Sequence, residues 1–250
     1  MRSSTQVLAK ELIAEVRLVN IPNNTSWMYQ HDIIPDESGA KENNSAILSY
    51  FQYDVESIEK KLLIMVLINY LRTPFFDDLR TKQQLGYIVS AMDVETMSVL
   101  GMLFVVQSSV QPSHYLSERI FEFLDKTRKE IQTLSDTEFD TFKESVLSRL
   151  KEKDYNIAQE SGRYWGEIAK HAYIFQRKQE LIDGVKGLKK EQLIELFEEI
   201  FYKNRRNLET HVVSELHAEQ NATLKKQRLE KDKLIQEVPS IDWFKRKLPL

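Results

Sequence analysis

The sequence predicts an α+β fold, a largely antiparallel sheet packed against helices. Strand-like and helix-like segments come in blocks and not in regular alternation, which disfavours a doubly wound sheet. A helical stretch that is apolar on nearly every side sits between two groups of strands, and amphipathic helical patterns fill most of the second half. With 250 residues and 42% hydrophobic content, the chain can bury a sizeable core.

Glu15 to Val19, Ser26 to Gln30 and Ile47 to Tyr53 read as short strands separated by polar loops, Ile21 to Thr25 and Pro35 to Asn44, so an antiparallel start is expected. The pattern becomes helical from Val55 to Arg72, and the apolar run Leu62 to Ile68 implies a buried helix. Thr73 can cap a second helix and Pro74 suits its first position, where an amide would lack a partner anyway. That helix is expected to end near Leu85, with Gly86 in the left-handed conformation that closes helices. Residues 87 to 94 and 99 to 107 are rich in Val, Ile, Phe and Met and predict a hairpin turning at Glu95 to Ser98.

Ser113 to Leu134 carries Leu116, Ile120, Phe123, Thr127 and Ile131 at helical spacing. Ser135 and Glu138 form a capping box for the next helix, with Phe139, Phe142, Val146 and Leu150 as its apolar stripe. Asn156 can cap a third, whose stripe is Tyr164, Trp165, Ile168 and Ala172; shorter helices follow near 178 to 184 and 190 to 202. Thr210 to Glu215 is expected to be the last strand, and Gln220 to Glu237 a charged helix or connector. Residues 1–216 thus read as one α+β domain, and 217–250 as a charged connector and C-terminal segment of the same domain.

The 35 basic and 38 acidic residues give a formal charge of -3, which offers no global attraction to nucleic acid or an anionic membrane. No cysteine is present, which excludes disulfide scaffolds, thiolate zinc sites and cysteine nucleophiles. The N-terminal stretch MRSSTQVLAKELIAEVR lacks the apolar core of a signal peptide, and Leu62 to Ile68 is too short to span a bilayer. A cytoplasmic chain is expected.

None of His31, His114, His171, His211 and His217 lies in a His-Glu-x-x-His motif or its inverse, so this chain is expected to bind no metal. Glu167 and His171 share a helix face, but two ligands fall short of a catalytic site, and a surface or interhelical pair is the simpler reading. His211 and His217 would share one side of a strand, too far apart to meet on a metal. The cations Lys225, Lys226, Arg228, Lys231 and Lys233 are interleaved with Glu230 and Asp232 and read as a solvated helix face. No phosphate-binding glycine loop or Gly-x-Ser-x-Gly elbow occurs.

One element remains. Phe76 and Arg80 are four apart and share a helix face, and Gly86 redirects the chain just before Tyr87. An arginine fork and a tyrosine hydroxyl are donors suited to a peptide carbonyl and to the oxyanion it becomes. The same residues also suit an ordinary helix face and strand start.

Leu79 to Val89 resembles the pattern Leu-Arg-Thr-Lys-Glu-Gln-Leu-Gly-Tyr-Ile-Val of the insulin-degrading enzyme branch of the pitrilysin family of zinc metallopeptidases, with Gln83 in place of the usual Glu. Pro112-Ser-His-Tyr-Leu, Tyr164-Trp-Gly-Glu-Ile and Phe244-Lys-Arg-Lys-Leu-Pro-Leu add to the similarity. The resemblance implies the fourth of four homologous α+β domains enclosing a chamber for peptide substrates. It further implies that zinc and its general base lie on an N-terminal half, this domain's partner, and that the chain alone is inactive. Arg80 and Tyr87 match the pair that binds the substrate backbone and stabilises the oxyanion, and Phe76 matches a pocket-lining aromatic. By analogy a homodimer is expected. Gln83, and Ser90 where the family often has an aromatic residue, bear on the shape of the side pocket. Competing readings are a non-peptidase structural subunit of the same superfamily, against which Arg80 and Tyr87 argue, and a helical partner-binding scaffold.

Overall fold

The computed structural model describes residues 18–34, 42–170 and 172–248. Among the described residues six strands form one mixed sheet in the order β3-β4-β2-β5-β1-β6, from β1 (Thr25–Asp32), β2 (Ser45–Val55), β3 (Ile88–Thr96), β4 (Val99–Ser108), β5 (Arg206–Val213) and β6 (Ile235–Val238). The β3–β4, β4–β2 and β2–β5 pairs are antiparallel, as the fold class requires. The expected antiparallel start is corrected, because β1 lies parallel to both β5 and β6 and does not touch β2 in the ladder. A parallel neighbour needs a long crossover, and here it is everything between β1 and β5. Of the strand expected at Glu15 to Val19, residues 15–17 fall outside the described residues, and Leu18 and Val19 are irregular. The same holds for 35–41 of the loop before β2.

The helices are α1 (Ile58–Phe76), α2 (Ser113–Ile131), α3 (Asp136–Lys151), α4 (Ile157–Ala169), α5 (Arg177–Gly184), α6 (Lys190–Glu198), α7 (Ala218–Lys231) and α8 (Ile241–Lys247). Ile47, Phe51, Met102, Phe104 and Val106 project from one face of the sheet into the main core, where they meet α1, α2 and α6. Leu62 to Ile68 is buried throughout, as its all-round apolar pattern demands. Leu116, Ile120, Phe123, Thr127 and Ile131 bury the predicted face of α2. Around Phe51, Phe104 and Phe201 the rings meet edge-on at 4.9–5.9 Å, a favoured geometry for aromatic quadrupoles. A smaller core of Ile21, Trp27, Val238, Phe244 and Leu248 lies by β1, β6 and α8.

The capping box of α3 is present in full, Ser135 accepting from the Glu138 amide and Glu138 from the Ser135 amide. Asn156 caps α4 as expected. The second helix expected at Thr73 does not begin there. Pro74 sits inside α1, and its missing amide is tolerated because Leu71, Phe75 and Leu79, spaced by four and fully buried, anchor the helix on either side. The stripe of α4 is also corrected: Trp165 is 67% exposed, Tyr164 and Ile168 are 37% each, and the helix's one buried residue is Glu167.

Candidate functional site

Beyond Phe76 the chain widens into a π-helical turn, Asp77–Lys82, in which the Gln83 amide donates to the Asp78 carbonyl five residues back at 3.0 Å. Such turns are uncommon and concentrate at functional positions. The Leu85 amide then bonds to the Leu79 carbonyl at 3.0 Å, and both side chains are buried, so the segment between them is pinned at each end. Gln84, at φ 53°, takes the left-handed conformation that the sequence assigned to Gly86. Gly86 is required for another reason: a Cβ there would lie 1.7 Å from the Gln107 carbonyl oxygen on β4. The absent side chain lets the backbone press against β4, which sets Tyr87 at the mouth of β3.

This geometry brings the three predicted residues together. The Arg80 guanidinium lies 4.8 Å from the centre of the Phe76 ring and 4.7 Å from that of Tyr87. It is held between two aromatic faces, a cation–π arrangement that fixes the plane and leaves the N–H edge unused. Among the described residues no carboxylate pairs with Arg80. The neighbouring Asp78 instead accepts from Gln83 at 3.1 Å and faces Lys126 at 3.5 Å. Tyr87 is 82% exposed and Phe76 37%, so phenol, guanidinium edge and one ring face open to solvent together. The spacing of four between Phe76 and Arg80 was a readable signal; the ring of Tyr87 as a second wall was not.

The metal alternatives come out differently. Glu167 is held by Arg177, whose Nε and Nη2 donate to it at 2.6 and 3.0 Å, and His171 lies outside the described residues. His211 is buried in β5, while His217 lies past the strand in a helical turn, bonded to Ser45 at 2.9 Å. Among the described residues no three His, Cys, Asp or Glu side chains are placed to hold a metal ion. A zinc ion therefore does not fit the residues described here.

A buried polar cluster escaped sequence reasoning. Glu209 accepts from both terminal nitrogens of Arg228 at 2.6 Å, from Ser117 at 2.8 Å and shares a 3.0 Å contact with His211. Arg228 is thus no part of a solvated face. Burial would raise the Glu209 carboxyl, but Arg228 outweighs it and holds it well below the usual range. His211 stacks on His114 with centroids 4.0 Å apart. Burial, reinforced by the His211 charge, pushes His114 down to about 2, so it is neutral at physiological pH. These groups join β5, α2 and α7; Glu209, His211, His114 and Ser117 are buried, and Arg228 covers them from the edge.

Comparison with known proteins follows the same segment. The profile of a family described as "PQQ synthase PqqF-like, C-terminal lobe domain 4" matches residues 66–165, which include Phe76, Arg80 and Tyr87. "Insulin-degrading enzyme-like 2" of Arabidopsis thaliana is 31% identical over 256 residues, covering 99% of this chain and 26% of its own length. Human "Insulin-degrading enzyme" is 28% identical over 213 residues, covering 84% of this chain and 20% of its own length. The chain therefore spans about a fifth to a quarter of these relatives. A crystal structure of pitrilysin superposes with a TM-score of 0.73 at 15% identity, over 92% of this chain and 23% of that one.

Proposed function

The chain belongs to the insulin-degrading enzyme and pitrilysin family of peptidases, matching its C-terminal domain, and from this membership we propose that it supplies the substrate-gripping half of a zinc endopeptidase active site. The observation that carries the reading is the Arg80 guanidinium, stacked between Phe76 and Tyr87 with its donor edge unpaired among the described residues. An edge of this kind recognises a carbonyl oxygen, and its hydrogen bonds strengthen as that oxygen gains charge. The exposed Tyr87 hydroxyl is a second donor on the same mouth. The free face of Phe76 offers an apolar wall for a substrate side chain.

The zinc and general base of hydrolysis belong, on this reading, to an N-terminal half that partners this domain. This chain's own residues bind the peptide, orient its carbonyl and stabilise the oxyanion; alone, the domain has no turnover. Among the described residues no helix is long and apolar enough to cross a membrane. The cytoplasm is the compartment we propose.

The test is Tyr87→Phe in the enzyme reconstituted from this chain and the zinc-bearing half. Loss of one oxyanion donor lowers kcat by about 10² to 10³. That fall is expected with the unfolding curve unchanged, because Tyr87 is 82% exposed and phenylalanine keeps the ring that stacks on Arg80. Near-normal turnover would sink the assignment.

A further inference from the structure

Among the described residues the chain makes a second π-helical turn, Glu199–Lys203, in which the Asn204 amide donates to the Glu199 carbonyl at 3.0 Å. Such turns concentrate at functional positions, and this one borders a groove of about 560 Å³ between α2 and α7, the size of a small-ligand site. α2 contributes Glu118, Phe121 and Asp125, spaced by three and four, and α7 contributes Leu224, Arg228 and Lys231 in the same manner, so one face of each helix forms a wall. The two helices run side by side in the same direction. Asn221 accepts from Ser113 and from the His114 amide at their starts, and further along Arg228 shares Glu209 with Ser117. Leu124 and Phe201 are buried in the floor, with Leu224 half-buried beside them. Seven residues of helix rise about 10 Å, the span of about three extended residues.

The charged groups around this floor are unevenly committed. Arg228 is spent, with both terminal nitrogens on Glu209. Asp125 accepts the Tyr202 hydroxyl at 2.8 Å, and burial together with that hydrogen bond pushes the phenol up, which keeps it a donor. Arg205 is oriented over the Phe121 ring at 5.7 Å, while its hydrogen bond to Asp232 is stretched to 3.5 Å. Lys231, next to Asp232 in the chain, makes no ion pair among the described residues. Both cations therefore stand at the C-terminal end of α7. Glu118 stands at the opposite end, where its one cation among the described residues is Arg119 at 3.5 Å. An apolar trough thus carries an underused carboxylate at one end and two underused cations at the other.

We propose that this groove binds a short peptide of about three residues with both termini free, its ammonium on Glu118, its carboxylate on Arg205 and Lys231, and an apolar side chain on Leu124 and Phe201. A neutral apolar ligand would cover these charges without pairing them, which is costly. A polyanion would meet Glu118, Asp125 and Asp232. A zwitterion answers both ends, and a carboxylate suits the arginine fork. None of Phe76, Arg80 and Tyr87 lines the groove, so the inference does not depend on the substrate grip.

The experiment is isothermal titration of the full chain with the tripeptide Ala-Phe-Ala, its N-acetylated and C-amidated forms, and free phenylalanine. Blocking either terminus is expected to weaken binding roughly tenfold, the worth of one hydrogen bond to a charged group. Phenylalanine, too short to span both ends, should bind more weakly by a similar factor. Glu118→Gln should weaken the free tripeptide and leave the N-acetylated form unchanged; Lys231→Gln should weaken the free tripeptide and leave the C-amidated form unchanged. Both positions are exposed, and circular dichroism checks that each variant folds. No binding of the tripeptide, equal binding of the blocked forms or of phenylalanine, or binding that ignores both substitutions overturns the proposal.

Discussion

Arg80 and Arg228 are both guanidiniums set against aromatic rings, yet their donor edges meet opposite surroundings. Arg228 lies 5.3 Å from the centre of Phe121 and directs both terminal nitrogens to one buried carboxylate, Glu209. Arg80 lies between Phe76 and Tyr87, and no carboxylate answers it among the described residues. The rings orient the cation in both places; the difference is where the N–H edge points. An arginine whose donors end on a buried partner holds the fold, and one whose donors are oriented but unused is, on the reading proposed above, set to hold a substrate. Arg177, with Glu167 and Glu56 as acceptors, falls on the structural side.

The largest expected effect breaks the structural member. Arg228→Met would strand the Glu209 charge in the core, and losing one partner of a buried pair costs about 3–5 kcal/mol. Urea unfolding should show that loss, and adding Glu209→Gln should restore much of it, because the stranded charge is then gone. If Arg228→Met alone costs under about 1 kcal/mol, the pair does not hold the fold.

Acid should weaken the same region. His114 is held neutral by burial, its folded pKa near 2 against an ordinary value of 6.5. The unfolded chain therefore binds the extra proton first: the stabilisation is complete above about pH 6.5 and declines as pH falls toward the folded value. The slope is about 1.4 kcal/mol per pH unit for one such histidine. His211 is lowered in the same direction, chiefly by burial, and adds to the effect. Thermal melts between pH 7 and 5 should show the decline, and His114→Phe should flatten it.

What the sequence made legible is what lies close along the chain. The α2 stripe and the Ser135–Glu138 capping box depend on neighbours three or four residues away, and both are where the pattern placed them. The Phe76–Arg80 stack belongs to the same class. The parallel seat of β1 between β5 and β6 does not, since its partners are remote and no local pattern encodes direction. Periodicity showed that α4 has an apolar stripe but not that it stays largely open; the helix's one buried residue is Glu167, held by Arg177. Gly86 was marked as special for the wrong reason, because its proximity to Gln107 exists only once β4 is in place.

The most direct test of the contrast is turnover of the reconstituted enzyme carrying Arg80→Leu, with its unfolding curve beside it. Two exposed cation–π contacts are worth about 0.5–1 kcal/mol each, so stability should fall by no more than about 2 kcal/mol. Turnover should fall by about 10² to 10³, as for removal of an oxyanion donor. Near-normal turnover, or a loss of stability as large as that of Arg228→Met, would make Arg80 a structural residue and contradict the account.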